Sequence, residues 1–175
     1  MMKISDIRVH FQNNVTKKTL KEISWYEEKV NEVLITKYLI NSRKLSFDFD
    51  TINPKVKTKN TTSIEIKTAD TVYFKDNKVI FVEFKSSAIK KIEFRLKATE
   101  SIISFYNYIF KNGFTEQMCF PNNTFQMYFV YNKNCTPARL QTFSLMEREL
   151  NIEYKHFFSK LKVIDNDRFQ KLFKI

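Results

Sequence analysis

Three charged residues have types and a spacing that suit chemistry on phosphate groups: Asp70, Glu83 and Lys85. They lie within or beside residues 62–74 and 78–85. Both stretches are rich in Val, Ile, Phe, Tyr and Thr, and they therefore predict two β-strands. The sequence thus indicates a hairpin that carries its charged residues near one end.

The turn of this hairpin sets which residues face each other. Asp76 and Asn77 stand between the two stretches, and both residue types tolerate the positive φ of a tight turn. A turn centred between them pairs Phe74 with Val79, Val72 with Phe81, and Asp70 with Glu83. Directly opposed side chains have Cβ atoms about 4.5–5.5 Å apart. Lys85 shares the face of Glu83, about 6.6 Å further along the strand.

Two carboxylates side by side on an apolar hairpin face repel each other, and burying them unpaired is costly. A cation between them would remove this conflict, and hard oxygen ligands favour Mg²⁺ or Mn²⁺. Such an ion polarises a phosphate, and Lys85 could position or deprotonate the attacking water or neutralise the transition state. The competing interpretation is an exposed hairpin end in which Lys85 and Glu83 form an ordinary salt bridge, worth about 0.2–1 kcal/mol.

The segments before the hairpin predict a helix and a strand. Apolar residues in 20–40 recur at steps of three, four or seven, which is typical of an amphipathic helix. This stripe consists of Leu20, Ile23, Val30, Leu34 and Tyr38. Residues 45–52 alternate like a half-buried strand, with Asp48 and Asp50 on its exposed face. Residues 53–60 read as a basic loop.

The segments after the hairpin complete a mixed α/β array. Residues 88–111 predict a second long helix that stops at Gly113. Its predicted buried face comprises Ile92, Leu96, Ile103, Tyr106 and Phe110. Residues 125–131 are apolar on both faces, as in a central strand, and a helix at 137–150, a strand at 152–158 and a C-terminal helix follow. We expect one domain over residues 1–175, with an αβββαβ core at about 20–131 and a C-terminal elaboration at 132–175.

Asp70, twelve intervening residues and Glu83-Phe84-Lys85 ending an apolar strand, within an αβββαβ order, resemble the PD-(D/E)xK nuclease superfamily. Ala69 stands where the nominal proline of that motif would be. The resemblance implies a restriction-endonuclease-like core, a mixed central sheet flanked by helices. It also implies an Mg²⁺- or Mn²⁺-dependent DNA endonuclease, in which Asp70 and Glu83 bind the metal and Lys85 acts on the water. The alternative is a member that has lost catalysis and binds nucleic acid or a protein partner.

Members of this superfamily often add an acidic residue from the first helix. Glu27 suits that role, as a catalytic residue and third metal ligand, because it lies on the predicted apolar stripe between Ile23 and Val30. The alternative is a glutamate at the helix edge with no role in the site.

Two groups of basic residues are candidates for binding DNA phosphates. They are Lys91, Arg95 and Lys97 at the start of the second long helix, and Lys55, Lys57 and Lys59 in the loop before the first motif strand. Lys91 and Arg95 share a helix face at i,i+4 spacing. In each group the alternative is a solvated surface without a ligand.

The formal charge of +11 favours nucleic acid as the partner. An excess of Lys, Asn, Ile and Phe also fits AT-rich coding bias, so charge alone does not decide. The chain has neither an apolar leader nor an apolar run of membrane-spanning length, which predicts a soluble, intracellular protein that enters no membrane. A single glycine excludes a P-loop or Rossmann site. Cys119 and Cys135 are expected to be reduced, and the oligomeric state is open, with a homodimer among the options.

Overall fold

The computed structural model of the chain describes residues 3–53, 66, 68–86, 90–114 and 124–175. Its strands are β1 (Lys17–Thr19), β2 (Trp25–Val30), β3 (Val33–Tyr38), β4 (Leu45–Asp48), β5 (Thr71–Lys75), β6 (Lys78–Lys85), β7 (Phe125–Tyr131) and β8 (Phe158–Asp165). Its helices are α1 (Ile4–Asn14), α2 (Leu20–Ile23), α3 (Lys91–Lys111), α4 (Pro137–Glu153), α5 (Asn166–Phe173) and a 3₁₀ helix (Phe49–Ile52).

Six strands form one mixed sheet in the order β1-β4-β5-β6-β7-β8. Neighbours from β1 to β6 are antiparallel, whereas β6, β7 and β8 are parallel. Parallel neighbours need crossover connections, and α3 and α4 lie in the two crossovers. The predicted mixed α/β class is confirmed. β7 pairs on both sides, as its two apolar faces predicted.

The hairpin of β5 and β6 has the predicted turn and register. Asp76 and Asn77 have φ angles of 49° and 57°, as in the central positions of a type I′ turn. The register pairs Phe74 with Val79 and Val72 with Phe81, and its last pair is Thr71 with Val82. The predicted pair of Asp70 with Glu83 is not formed, because the pairing ends there and Asp70 lies one residue before β5.

Helices cover both faces of this sheet. Phe81 and Phe129 belong to a core cluster with residues of α1, α3 and α4. Val82 and Val130, one position further along the same two strands, belong to a second cluster with Phe169 of α5. Because successive strand residues point to opposite faces, the sheet lies between two apolar layers.

The end of α3 is as predicted, but its predicted buried face is wrong. Its buried residues include Phe94, Ala98, Ser101, Phe105 and Ile109. Four residues of the predicted face are instead exposed: Ile92, Leu96, Ile103 and Phe110. Tyr106 is partly buried against the core. Both sets have helical spacing. The set that contains the small residues Ala98 and Ser101 gives the helix a flatter face, which allows a closer approach of the helix to the sheet.

The predicted helix over residues 20–40 is also wrong. Only Leu20–Ile23 is helical there, and β2 and β3 follow as a separate two-stranded hairpin. Asn31 and Glu32 take positive φ angles of 48° and 67° at its turn, which lets the strands pair from Trp25–Tyr38 to Val30–Val33. The first long helix of the chain is α1 instead.

Smaller differences concern element ends. The predicted strand at 45–52 ends at Asp48, and the 3₁₀ helix continues from it. The predicted strand at 152–158 is wrong, because α4 extends to Glu153 and the strand begins at Phe158. The two helices predicted in the tail, at 137–150 and at the C-terminal end, are confirmed as α4 and α5. Within the described ranges, no helix has the length and apolar character needed to cross a membrane.

Candidate active site

The two motif strands bring Asp70, Glu83 and Lys85 together. Glu83 lies near the end of β6, between β5 and β7, with only 1% of its surface exposed. Lys85 Nζ lies 2.9 Å from Glu83 Oε1. The amide of Phe84 donates a hydrogen bond to Asp70 Oδ2 at 2.6 Å. This bond holds the carboxylate of Asp70 against the β6 backbone and beside Glu83.

Lys97 enters the same cluster from α3. Its Nζ lies 3.0 Å from Glu83 Oε2 and 3.9 Å from Asp70 Oδ1, and it donates to the Thr68 carbonyl oxygen at 2.6 Å. Ser101, one turn further, donates to the Lys97 carbonyl and accepts from the Ala69 amide. The helix is therefore tied to the segment before β5. Lys97 was predicted to bind phosphate, and here it sits against both carboxylates.

Asp50 is a neighbour that the sequence pattern did not indicate. Its Oδ1 accepts a hydrogen bond from the Thr68 hydroxyl at 2.5 Å, and its charge acts on both Lys97 and Asp70. The 3₁₀ turn after β4 produces this placement, and strand alternation gave no signal of it. Asp48, predicted to be exposed, is buried and paired with Lys18 at 2.5 Å.

Asp70 stands in an environment that disfavours its negative charge. Burial, followed by the charge of Glu83, holds the pKa of Asp70 well above its usual range, against the opposing effects of Lys97 and the Phe84 amide. Burial lowers the pKa of Lys97, but the charges of Glu83 and Asp70 outweigh it and raise that pKa overall. The neighbouring groups of the protein therefore compensate the negative charge of Asp70 only in part.

This donor set fits a hard divalent cation with two protein ligands. Asp70 and Glu83 are adjacent carboxylates, and the raised pKa of Asp70 is the shift that a nearby cation would reverse. Mg²⁺ commonly takes one or two carboxylates and completes its shell with waters and substrate phosphate. In the part of the chain that the structure describes, no group of three or more His, Cys, Asp and Glu side chains could hold a metal.

Glu27 does not approach Asp70 and Glu83 from a helix, as was expected. It lies on β2, opposite Thr36, and is exposed, so its predicted position on a helix that packs against the sheet is wrong. No three-carboxylate ligand set forms with Asp70 and Glu83 among the described residues. Glu27 instead lines a cleft that Lys85 also lines.

The other predicted phosphate-binding residues either form ion pairs between helices or lie outside the described residues. Lys91 Nζ pairs with Glu149 at 2.7 Å and Glu153 at 2.8 Å, and Arg95 pairs with Glu153 at 3.4 Å. These two side chains therefore join α3 to α4. Lys55, Lys57 and Lys59 lie outside the described residues, as does Cys119. Cys135 is a free thiol, as predicted.

The cluster opens to solvent beside the β2–β3 hairpin. Asp70 and Lys85 line a pocket of about 100 Å³ together with Tyr26 and Ser86. The buried Glu83, the partly exposed Asp70 and Lys85, and an open side form a site that can receive a charged ligand. The chain matches no protein-family model, no curated protein and no solved structure, so the chemistry of this cluster carries the functional assignment.

Proposed function

We propose that the chain is a metal-dependent nuclease of the PD-(D/E)xK kind that hydrolyses DNA phosphodiester bonds, acting as an endonuclease. The observation that carries the proposal is the convergence of Asp70, Glu83 and Lys85 where β5 and β6 meet. The burial of Glu83 and the raised pKa of Asp70 support it further. Maintaining two such carboxylates side by side costs stability, and a bound cation explains why the fold keeps them.

The order of elements supports a restriction-endonuclease-like core. α1, β4, β5, β6, α3 and β7 follow one another in an αβββαβ order. β1, α2 and the β2–β3 hairpin are then an insertion between the first helix and the first core strand. This assignment places the motif residues at the ends of the second and third core strands.

Asp70 and Glu83 would hold Mg²⁺ or Mn²⁺, which when bound polarises the scissile phosphate and acidifies a water. The Phe84 amide and Lys97 hold the two carboxylates in place before any ligand arrives. The side chain of Lys85 is 24% exposed, so its Nζ can orient the attacking water. The same ammonium can also stabilise the charge that develops on the phosphate.

A second candidate is a nuclease-fold protein without catalysis that binds nucleic acid or a protein partner. The position of Lys97 favours it, because its Nζ already approaches both carboxylates and supplies a positive charge there. In that case Lys97 takes over the role of the metal in the fold. The two candidates differ in whether a divalent ion is needed for any activity.

Incubation of the purified protein with plasmid, branched and single-stranded DNA in Mn²⁺ or Mg²⁺ tests the proposal. We expect metal-dependent cleavage that EDTA abolishes. Asp70→Asn and Lys85→Ala should lower it about a hundredfold or more. Lys111→Ala, which changes an exposed lysine at the end of α3, is the matched control and should cut normally. DNA binding without cleavage by the wild type would overturn the nuclease proposal and support the second candidate.

A further inference from the structure

A second and larger cleft lies directly beside the candidate site. It has a volume of about 500 Å³ and opens between the β2–β3 hairpin and the segment where β7 leads into α4. Tyr26 and Lys29 line it from the hairpin, and Tyr131 and Arg139 line it from the other wall. Lys85, at the end of β6, lines it as well.

We infer that this cleft binds one unpaired nucleotide of a DNA strand, with its base against the tyrosines and its phosphate against the cations. Cleavage of the bound strand rests on the proposed function. The inference narrows the substrate class of that function to DNA with single-stranded segments, ends or branches. It gives a role to the β2–β3 hairpin, which lies outside the main sheet.

The aromatic side chains are held in place for stacking. The Tyr131 ring packs on Phe143 with their centroids 4.7 Å apart. Asn132 donates a hydrogen bond to the Tyr26 hydroxyl at 3.4 Å, which joins the two walls. Both tyrosines are half-buried and keep part of their surface open to the cleft. Rigid aromatic rings on a basic groove are the usual means of binding single strands.

The charges in the cleft suit a phosphate. Lys37 pairs with Glu28 and Lys85 pairs with Glu83, which leaves Lys29 and Arg139 as cations against Glu27. Cations interspersed with tyrosines bind the backbone and the base of the same nucleotide. The excess positive charge is small, so stacking must provide much of the selectivity.

The size of the cleft favours an unpaired nucleotide over intact duplex. Its volume is that of a small-ligand pocket. A base within a duplex has both faces covered by its neighbours, and it can stack on a protein ring only after leaving the helix. Single strands and frayed or branched ends present such bases without that cost.

The cleft also leads to the carboxylates. Tyr26, Lys85 and Ser86 line both this cleft and the smaller pocket that contains Asp70. A nucleotide held in the cleft therefore places the adjoining phosphate of its strand toward Asp70 and Glu83. The hairpin would act as the wall that selects the strand and directs it to the site.

Fluorescence anisotropy in EDTA tests the inference, because binding is then measured without cleavage. The probes are a labelled single-stranded oligodeoxynucleotide and the same sequence as a blunt duplex. We expect the single strand to bind about tenfold more tightly than the duplex. Tyr26→Leu and Tyr131→Leu should each remove about a tenfold factor from single-strand affinity and leave duplex affinity unchanged.

Two further variants complete the experiment. Arg139→Ala changes an exposed side chain and should weaken single-strand binding about tenfold, even if Tyr131→Leu fails to fold by circular dichroism. Lys111→Ala should change nothing. Equal or tighter duplex binding, unaltered single-strand binding in the folded cleft variants, or no DNA binding at all would overturn the inference. Selective single-strand binding without cleavage in Mn²⁺ would retain the cleft and overturn the nuclease proposal alone.

Discussion

Glu83 is the most buried ionisable side chain of the candidate site, and it forms ion pairs with two lysines. Its two oxygens face different lysines, with Oε1 at 2.9 Å from Lys85 and Oε2 at 3.0 Å from Lys97. A buried carboxylate without a partner costs several kcal/mol, and two ammonium groups offset that cost. Each oxygen of the buried Glu83 carboxyl group therefore has an ammonium partner.

Removing one of these lysines should destabilise the fold. We expect Lys97→Met to lower the free energy of unfolding by about 3 kcal/mol, because the buried carboxyl group of Glu83 loses its more buried partner. Urea denaturation measures the change, and Lys111→Met is the control. Adding Glu83→Gln to the Lys97→Met protein should recover most of the loss. A change no larger than that of the control would show that Glu83 does not depend on Lys97.

Ionisation of Asp70 should lower the free energy of unfolding as the pH rises. Its pKa in the folded protein lies well above 3.8, the usual value of the unfolded chain. Between these two values the folded protein retains a proton that the unfolded chain has lost, so stability decreases through that window. Asp70→Asn cannot lose a proton and should escape this decrease.

Thermal unfolding of Asp70→Asn and wild type at about pH 4 and about pH 7 measures this effect. The variant should unfold at nearly the wild-type temperature at the lower pH and at a higher temperature at the higher pH. The Asn side chain can still accept the hydrogen bond of the Phe84 amide, so the difference reports the charge. A difference in unfolding temperature between variant and wild type that is equal at both pH values would contradict the raised pKa of Asp70.

Among the elements, the β5–β6 hairpin does most to assemble the site, and its turn determines its register. Asn77 adopts a φ of 57°, which is strained for most residues and free for glycine. We expect Asn77→Gly to raise the free energy of unfolding by up to about 1 kcal/mol and Asn77→Ala to lower it by about 1 kcal/mol. Chemical denaturation of both variants provides the comparison. An alanine variant as stable as the glycine variant would argue against the left-handed turn.

Local patterns predicted this hairpin because everything that defines it is local. Asp76 and Asn77 specify the turn, and the alternation on either side specifies the faces, so the proximity of Asp70 and Glu83 could be predicted from sequence. Residues 20–40 show the opposite case. The spacing of Leu20, Val30 and Tyr38 fits a helix. Val30 and Tyr38 are also of types that favour strands, and the left-handed turn at Asn31–Glu32 decides between the two.

Packing between elements was the part that sequence could not supply. α3 has apolar residues on most of its circumference, so periodicity alone could not select the stripe with Ala98 and Ser101 that lies on the sheet. The placement of Lys97 and Asp50 depends on how α3 and the 3₁₀ helix approach β6. Their contacts with Glu83 and Thr68 join residues distant in sequence, and no short motif encodes them.

At the scale of the whole molecule, the charge and the site fit together. The chain carries a formal charge of +11, which attracts polyanions from a distance. The carboxylates of Asp70 and Glu83 form a local exception within that field, beside the basic and aromatic cleft. A polyanion drawn to the surface would meet the cations of the cleft next to two carboxylates that a metal can bridge.

Binding of Mn²⁺ tests the central claim, that Asp70 and Glu83 form a site for a divalent cation. Isothermal titration calorimetry of the wild type should show saturable binding. Asp70→Asn and Glu83→Gln should abolish it, and Lys111→Ala should retain it. Circular dichroism verifies that each variant is folded. A folded wild type that binds no Mn²⁺, or binding that survives unchanged in both carboxylate variants, would contradict the account.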